Sequence, residues 1–301
     1  MQRTFGIVLM FLAACSYGAA GILIKLAYRA GLQPAALLPM QNLVAIAFMW
    51  PMLLVLQGIP KVGLRQLRRL IWQGLAGNFA ISVCYFWAAQ RIDVSLLSII
   101  LFTYPALVLA YQIVVEKRRA APAELVALLL AFCGAVLSVD LFHGTTAAID
   151  RLGLILAVGA AFSYAFMNIH GQKLTENVSS QVIATTTSTV STVALLALFP
   201  RQSWGSFAFP RNDWIFILSL AVLSTVVPMN LMYLAIRRIG AFQASVVSVA
   251  ELPCILVLAY FILSERMNSW QMLGGGMILL SLILTQRSQS SIDSEPAPDA
   301  T

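Results

Sequence analysis

Glu251 and Pro253 lie in one strongly apolar stretch, V-V-S-V-A-E-L-P-C-I-L-V-L-A-Y at residues 246–260. Glu251 is the only acid well inside a predicted helix of this chain. A charge at the centre of a lipid bilayer costs roughly 3 kcal/mol, so we expect this carboxyl group to face other protein groups or a water-filled cavity. Pro253 predicts a helix kink that would leave the carbonyl of Val249 without its amide partner.

Two interpretations of Glu251 are open. In the functional one, Glu251 binds a substrate amine or exchanges a proton between two access states, which makes it the candidate for proton coupling. In the structural one, a neutral Glu251 bonds a serine or the loosened backbone and fixes the kink. Ser245, Ser248 and Glu251 recur every three residues and so spread over about 120° of one helix face. The usual role of acids at membrane depth favours the functional interpretation.

Other polar and aromatic residues at membrane depth complete the predicted substrate-binding set. Any single Ser or Asn among them is also explained by a hydrogen bond between helices. The Thr-rich run at 184–192 and the glycines at 274–276 predict close helix packing rather than a site. Besides Glu251, the set is Ser16, Tyr17, Asn78, Tyr85, Trp87, Tyr104, Ser163, Tyr164, Asn168, Asn230, Tyr233, Ser245 and Ser248.

Several classes of chemistry have no support in the residues. Lys and Arg are absent from mid-membrane positions, which disfavours a phosphate or sugar-nucleotide ligand. The chain has no G-x-x-x-x-G-K-[ST], G-x-S-x-G or H-E-x-x-H motif and only two His, so we expect no ATP-driven step, metal or cofactor. A cavity of Tyr, Trp, Ser, Asn and one acid fits a small zwitterion or cation. A membrane-embedded enzyme is the less favoured alternative.

These residues must be positioned by membrane helices. The chain is 60% hydrophobic and 10% charged, with a mean hydropathy of +0.85, whereas soluble domains carry about 25% charged residues. The expected surroundings are a lipid bilayer, and the basic residues lie between apolar runs, which argues against nucleic acid. Residues 288–301 are polar and predicted to be disordered. Ten predicted membrane helices lie at about 5–26, 34–57, 69–90, 94–115, 122–141, 152–172, 179–199, 212–235, 241–263 and 270–286.

The distribution of basic residues predicts the orientation of these helices. With the N-terminus in the cytoplasm, 12 of the 19 Lys and Arg lie on the cytoplasmic side. The positive-inside rule therefore places both termini there. The seven on the other side are Lys25, Arg29, Arg91, Arg151, Arg201, Arg211 and Arg266.

The sequence repeats itself at an offset near 147 residues. G-I-V-L-M-F-L-A-A-C-S-Y from Gly6 matches G-L-I-L-A-V-G-A-A-F-S-Y from Gly153. Allowing small gaps, Pro105 matches Pro253, and both are predicted helix-kink positions. The repeats span residues 1–142 and 150–287. Five helices per repeat would make the second copy enter the membrane from the opposite side, the inverted arrangement common in secondary transporters.

With these motifs the chain resembles the drug/metabolite transporter superfamily, in its EamA-like branch of ten helices, over residues 5–287. The most specific element is a mid-membrane Pro followed by a Glu at the helix end, here Pro105 with Glu116 and Pro253 with Glu265. Lys25 and Lys173, near the ends of the first helix of each repeat, also match. Tyr17 and Tyr164 stand where many members carry Trp.

The resemblance implies an all-α, multi-pass protein of the bacterial inner membrane that works without a cofactor. Proteins that it resembles are mostly exporters or permeases for amino acids and other small metabolites. We therefore expect a monomeric secondary transporter that works by alternating access, with proton coupling through Glu251. The alternative within this class is a permease for another small cationic or drug-like molecule.

Overall fold

A computed structural model describes residues 2–32, 34–92, 94–139, 150–198, 213–264 and 268–292. All regular secondary structure in these ranges is helical. The first half contains α1 (Gln2–Arg29), α2 (Pro34–Gln57), α3 (Leu64–Trp72), a π-helical segment π1 (Gln73–Phe79), α4 (Ala80–Ala89), α5 (Val94–Leu101), α6 (Tyr104–Val114) and α7 (Pro122–Ser138). The second half contains α8 (Arg151–Thr175), α9 (Ser180–Leu198), α10 (Asp213–Leu220), a π-helical segment π2 (Ala221–Val226), α11 (Val227–Ser248), α12 (Glu251–Leu263) and α13 (Ser269–Ile292).

The helices suit a membrane by length and composition. Six described helical stretches are at least 18 residues long and apolar enough to cross a bilayer, when α5 with α6, and α10 with π2 and α11, are each taken as one stretch. Three shorter apolar stretches are Pro122–Ser138, Glu251–Leu263 and Ser269–Thr285. Large apolar side chains cover the outside, such as Val55 and Phe261, which are 83% and 76% exposed. Many of the fully buried positions hold alanine, and others hold Ser or Thr. The outer surface is therefore built to contact lipid, while small residues let the helices approach closely.

The two halves share irregularities at the offset of the sequence repeat. The π-helical segments end at Phe79 and Val226, positions 147 apart, in the third helix of each repeat. The fourth helix of each repeat is interrupted for two residues, and it resumes at Tyr104 and at Glu251, again 147 apart. These deviations from ideal helix are therefore inherited features of the repeat.

The interruptions differ from the predicted proline kinks. The chain breaks before each proline, so that Pro105 and Pro253 lie in the first turn of the helix that follows, where a missing amide costs little. The expectation that Val249 has a free carbonyl is wrong, because this oxygen accepts a hydrogen bond from the Leu252 amide at 3.1 Å.

A sharp turn lies between the predicted helices 212–235 and 241–263, and one predicted boundary changes. Gly240, inside α11, has φ 78° and ψ 166°, which is not helical, so the chain turns there between two helical parts. The backbone N–H of Ala241 donates to Gln172 Oε1 at 2.6 Å and fixes this turn. At the C-terminus, α13 continues to Ile292, which lies inside the tail expected to be disordered, and residues 293–301 lie outside the described ranges.

The repeats hold each other through equivalent contacts. A Cβ on Gly6 of α1 would lie 2.6 Å from Ile239 Cγ2, and one on Gly153 of α8 would lie 2.7 Å from Ile92 Cγ2. Gly6 and Gly153 are 147 positions apart, and so are Ile92 and Ile239. The first helix of each repeat therefore packs against the end of the third helix of the other.

Each of these helix pairs is antiparallel. The later part of α1 packs with the start of the opposite third helix, where Ala20 and Ala27 share a cluster with Ile217. In the same way, α8 runs from Gly153 at Ile92 to Gly171, which approaches Gln73.

Candidate functional site

A cavity of about 280 Å³ lies between the two repeats and extends from the middle of the helices toward the α1–α2 connection. Helices of both repeats form its wall, and both π-helical segments contribute polar side chains. The lining residues are Tyr17, Leu38, Gln41, Asn42, Asn78, Ile81, Ser82, Tyr85, Leu101, Tyr164, Met167, Ser188, Ser191, Ser224, Thr225, Met229 and Glu251.

Glu251 reaches the cavity as the first residue of α12. Its side chain is half-buried, and within the described residues it makes no hydrogen bond or ion pair. The structural interpretation of Glu251, a bond to a serine or to the loosened backbone, therefore finds no support in these ranges. Glu124 shows the contrast: it is fully buried, but Arg118 and the backbone amide of Ala121 donate hydrogen bonds to it.

Three of the predicted tyrosines contribute aromatic surface to the cavity. Tyr17, Tyr85 and Tyr164 all line it, and the Tyr17 hydroxyl donates to Met229 Sδ at 3.4 Å. Tyr104 lies behind this wall, with its ring stacked on Tyr164 at a centroid distance of 4.2 Å. The site therefore combines one carboxyl group with several phenol rings.

Unsatisfied polar atoms also occur in the wall. Gln41 Oε1, Asn78 Oδ1 and Ser188 Oγ are buried and have no hydrogen-bond partner within the described residues. Gln41 is 6% exposed and Ser188 is 2% exposed. Buried polar atoms are rarely left unpaired, so three of them around one cavity indicate a place for a polar ligand or water.

The remaining predicted residues lie outside the cavity lining. Five have their polar groups bonded to protein: Ser16 to Leu223 O, Asn168 to Tyr164 O, Asn230 to Val226 O, Ser245 to Phe242 O and Ser248 to Ser245 O. Two hydroxyl groups join helices, Tyr104 to Ser245 O and Tyr233 to Gln73. Ser163 is half-buried, and Trp87 is 41% exposed on the outside. The structure thus brings together Tyr17, Asn78, Tyr85, Tyr164 and Glu251.

Seven polar residues of the wall were not predicted from the sequence. Thr225 was detectable, because it stands 147 positions after Asn78, and both belong to the π-helical segments. Ser188 and Ser191 belong to the Thr-rich run that predicted only close packing, which holds for neighbouring Thr187 and Val190 against Gly74. No pattern in the sequence distinguishes the two serines from their neighbours. The other missed residues are Gln41, Asn42, Ser82 and Ser224.

The face opposite the cavity opening is closed by packing and polar contacts. Met10, Leu70 and Ile236 belong to a large apolar cluster between the repeats on this side. Deeper in the membrane, Gln73 bonds both Tyr233 and His170.

At the end of α8, Lys173 also joins the two repeats on this face. Its Nζ donates to Tyr111 Oη at 2.5 Å and lies 3.6 Å from Glu116 Oε1. The partner Glu of the second repeat, Glu265, lies outside the described ranges.

Three proteins similar in sequence to this chain are named uncharacterized transporters. The uncharacterized transporter YcbK of Bacillus subtilis (strain 168) is 21% identical over 282 residues, covering 91% of this chain and 90% of YcbK. The uncharacterized transporter YetK of the same strain is 23% identical and covers 81% and 75%. An uncharacterized transporter of Archaeoglobus fulgidus is 24% identical and covers 70% and 73%.

The fold is shared with a solved structure. A crystal structure of another protein superposes with a TM-score of 0.78 at 13% identity, covering 97% of this chain and 100% of that one. The sequence model of the EamA-like transporter family matches twice, at residues 4–140 and 151–287. The predicted resemblance is thereby confirmed: this multi-pass membrane protein belongs to the EamA-like transporter family and contains two EamA repeats.

Proposed function

We propose that the protein is a secondary transporter that moves amino acids or similar small metabolites across the inner membrane by alternating access. The observation that carries the proposal is the cavity between the repeats, with the unpaired carboxyl group of Glu251 in its wall. Substrate sites of secondary transporters commonly lie near the membrane midplane, at the interface of two repeats and beside interrupted helices. Glu251 begins such an interrupted helix.

The proposed topology is ten membrane passes in two inverted repeats, residues 1–142 and 150–287. Support comes from the packing of α1 and α8, each antiparallel to the third helix of the other repeat. If α1 and the third helix of its own repeat cross in the same direction, α8 must cross in the opposite one. The excess of Lys and Arg on the side of the N-terminus favours cytoplasmic termini.

In this topology the described conformation is open toward the outside. The cavity reaches the face of the α1–α2 connection, and the cytoplasmic half is closed by the apolar cluster and by the contact of Lys173 with Glu116. Inward opening would separate the same contacts, because they join the two repeats. The contacts of Gln73 with Tyr233 and His170 would then part next to the cavity.

Glu251 is the proposed proton carrier. It is the only acid among the described residues that line the cavity, so a proton and a substrate amine would compete for the same carboxyl group. Such competition couples the movement of the proton in one direction to the movement of the substrate in the other, without ATP.

The test compares metabolites released by cells that express the chain, the Glu251→Gln variant or an inactive control. We expect a few amino-containing metabolites to accumulate outside cells with the wild-type chain, and the pH dependence to disappear in Glu251→Gln at equal protein level. Equal release by all three strains would contradict transport. An unchanged pH profile in the variant would remove Glu251 from the coupling step.

A further inference from the structure

The charge of the cavity wall is one-sided. Among the described lining residues, Glu251 is the only one with a carboxyl group, and none is Lys, Arg or His. A ligand that carries a single positive charge would neutralise this wall. A zwitterion would bring a carboxylate into a weakly polar site that offers it no cation, and an unpaired buried charge is costly.

Of the three buried atoms in the described wall without a partner, two can only accept a hydrogen bond, and the third, Ser188 Oγ, can donate or accept. Gln41 Oε1 on α2 and Asn78 Oδ1 on π1 are buried amide oxygens without a partner, and they add to the Glu251 carboxyl group on α12. An amide oxygen can only accept, so its partner must carry N–H or O–H groups. Three acceptors on three helices match the three N–H donors of an alkylammonium group.

Four of the donors in the wall are used within the protein, whereas the Ser188 hydroxyl has no partner within the described residues. The hydrogens of the four point to protein atoms and would have to leave them to hold a substrate carboxylate. These bonds are Tyr17 Oη to Met229 Sδ, Asn42 Nδ2 to Leu38 O, Ser82 Oγ to Asn78 O and Ser224 Oγ to Leu220 O.

The rest of the wall suits an apolar or aromatic body. Tyr17, Tyr85 and Tyr164 present phenol rings, whose faces attract cations and stack with other rings. The volume of about 280 Å³ lies at the small end of ligand sites, which limits the body to about one ring or a short chain.

From this arrangement we propose that the cavity selects small primary amines with an aromatic or apolar body over the corresponding amino acids and carboxylic acids. The proposal rests on the proposed transport function for its biological meaning, and among the small metabolites it favours amines over amino acids. The amino group sits against Glu251, Gln41 and Asn78, and the body packs on the tyrosine rings. In the reaction sequence of a cell, such a substrate would come from decarboxylation of an amino acid.

The experiment uses three probes that share one ring and differ in charge: phenethylamine, phenylalanine and 3-phenylpropionate. Equilibrium binding of each radiolabelled probe is measured on the purified full chain in detergent. We expect phenethylamine to bind about ten-fold or more tightly than phenylalanine, and phenylpropionate to bind least, because the last two bring an unpaired carboxylate. Phenylalanine binding equal to or tighter than phenethylamine, or no binding of the amine, would overturn the proposal.

Variants test the assigned contacts. Glu251→Gln should weaken phenethylamine binding about ten-fold or more, and Gln41→Leu about three- to ten-fold through one lost hydrogen bond. Glu176→Gln is the matched control, because Glu176 is exposed at the end of α8 and should leave binding unchanged. Elution profiles in detergent verify that the variants fold. Folded Glu251→Gln protein that keeps wild-type affinity for the amine would overturn the proposal.

Uptake into proteoliposomes separates this proposal from the transport function. Uptake is measured for whichever probe binds, with empty liposomes subtracted to remove passive entry of the neutral amine. Saturable uptake of the amine above this background supports both the transport function and the assignment of the cavity to amines. If the amine binds selectively but is not moved, the transport function fails while the assignment of the site stands. If phenylalanine is the probe that binds and is moved, the transport function stands while the assignment of the cavity to amines fails.

Discussion

Tyr104 and Glu251 begin equivalent helices in the two repeats, yet their side chains have opposite surroundings. Tyr104 is 0% exposed, its hydroxyl contacts Ser248 and donates to the Ser245 carbonyl at 3.2 Å, and its ring stacks on Tyr164. Glu251 faces the cavity and has no partner within the described residues. The same backbone interruption is therefore a joint between helices in the first repeat and part of the candidate site in the second.

The two positions also depend on each other. Ser245 and Ser248, which hold Tyr104, belong to the last turns of α11, immediately before the interruption that leads to Glu251. The joint of the first repeat thus supports the backbone that presents the acid in the second. Duplication supplied two equal interruptions, and side-chain chemistry made only one of them available to a ligand.

The largest effect is expected when the acid is placed at the wrong interruption. Tyr104→Glu would put a carboxyl group in a fully buried position, remove the ring stack and leave Ser248 without its phenol partner. We expect a loss of about 3 kcal/mol or more in the free energy of unfolding, visible as aggregation or a low unfolding midpoint in detergent. A Tyr104→Glu variant as stable as the wild type would show that this interruption is as open to water as the other.

The next-largest effect is expected at Gly6 and Gly153, which make equivalent contacts in the two repeats. Gly6→Ala and Gly153→Ala each add a methyl group 2.6–2.7 Å from an isoleucine and 2.9 Å from the Cβ of an arginine in the opposite repeat. We expect similar losses of about 1–3 kcal/mol for both, measured as unfolding midpoints. Gly276→Ala is the control, because its Cβ would meet no atom within 4 Å. If only one of the two variants is destabilised, the two contacts are alike in geometry but differ in what they contribute to the free energy of unfolding.

Much of the architecture follows from the sequence because its signals are repeated and periodic. The offset of 147 predicts two halves, and the matching interruptions and π-helical segments occur at that spacing. The register within the interruption follows this offset and not the prolines. Aligning Pro105 with Pro253, which are 148 positions apart, placed Tyr104 one position away from its structural equivalent, since the helices resume at Tyr104 and Glu251.

The wall of the site was less predictable. Glu251 stands out because an acid at membrane depth is rare and costly. Ser16, Asn168 and Asn230 were equally polar candidates, but each donates to a backbone carbonyl. Whether a serine lines a cavity or bonds a carbonyl depends on a rotation of a few tens of degrees about the helix axis. The π-helical segments introduce such rotations without a sequence signal of their own.

A smaller effect is expected from the joint itself. Tyr104→Phe keeps the ring on Tyr164 but removes the hydroxyl that contacts Ser248 and the Ser245 carbonyl. The expected loss is about 1 kcal/mol of unfolding free energy, because Ser248 keeps its bond to the Ser245 carbonyl. Unfolding of Tyr104→Phe, Ser248→Ala and the double variant measures the coupling between the two hydroxyl groups. A coupling energy near zero would mean that the joint depends on ring packing alone.

The smallest stability effect, with the opposite sign, is expected at Glu251. Glu251→Gln removes a carboxyl group that makes no hydrogen bond or ion pair within the described residues, so no contact is lost and the desolvation of a charge is avoided. The unfolding midpoint of Glu251→Gln should equal or slightly exceed that of the wild type, while amine binding falls. Glu124→Gln provides the contrast, because it weakens the pair with Arg118 and should lower the midpoint. A lower midpoint for Glu251→Gln would mean that the acid stabilises the fold, and the two interruptions would then differ less than their surroundings indicate.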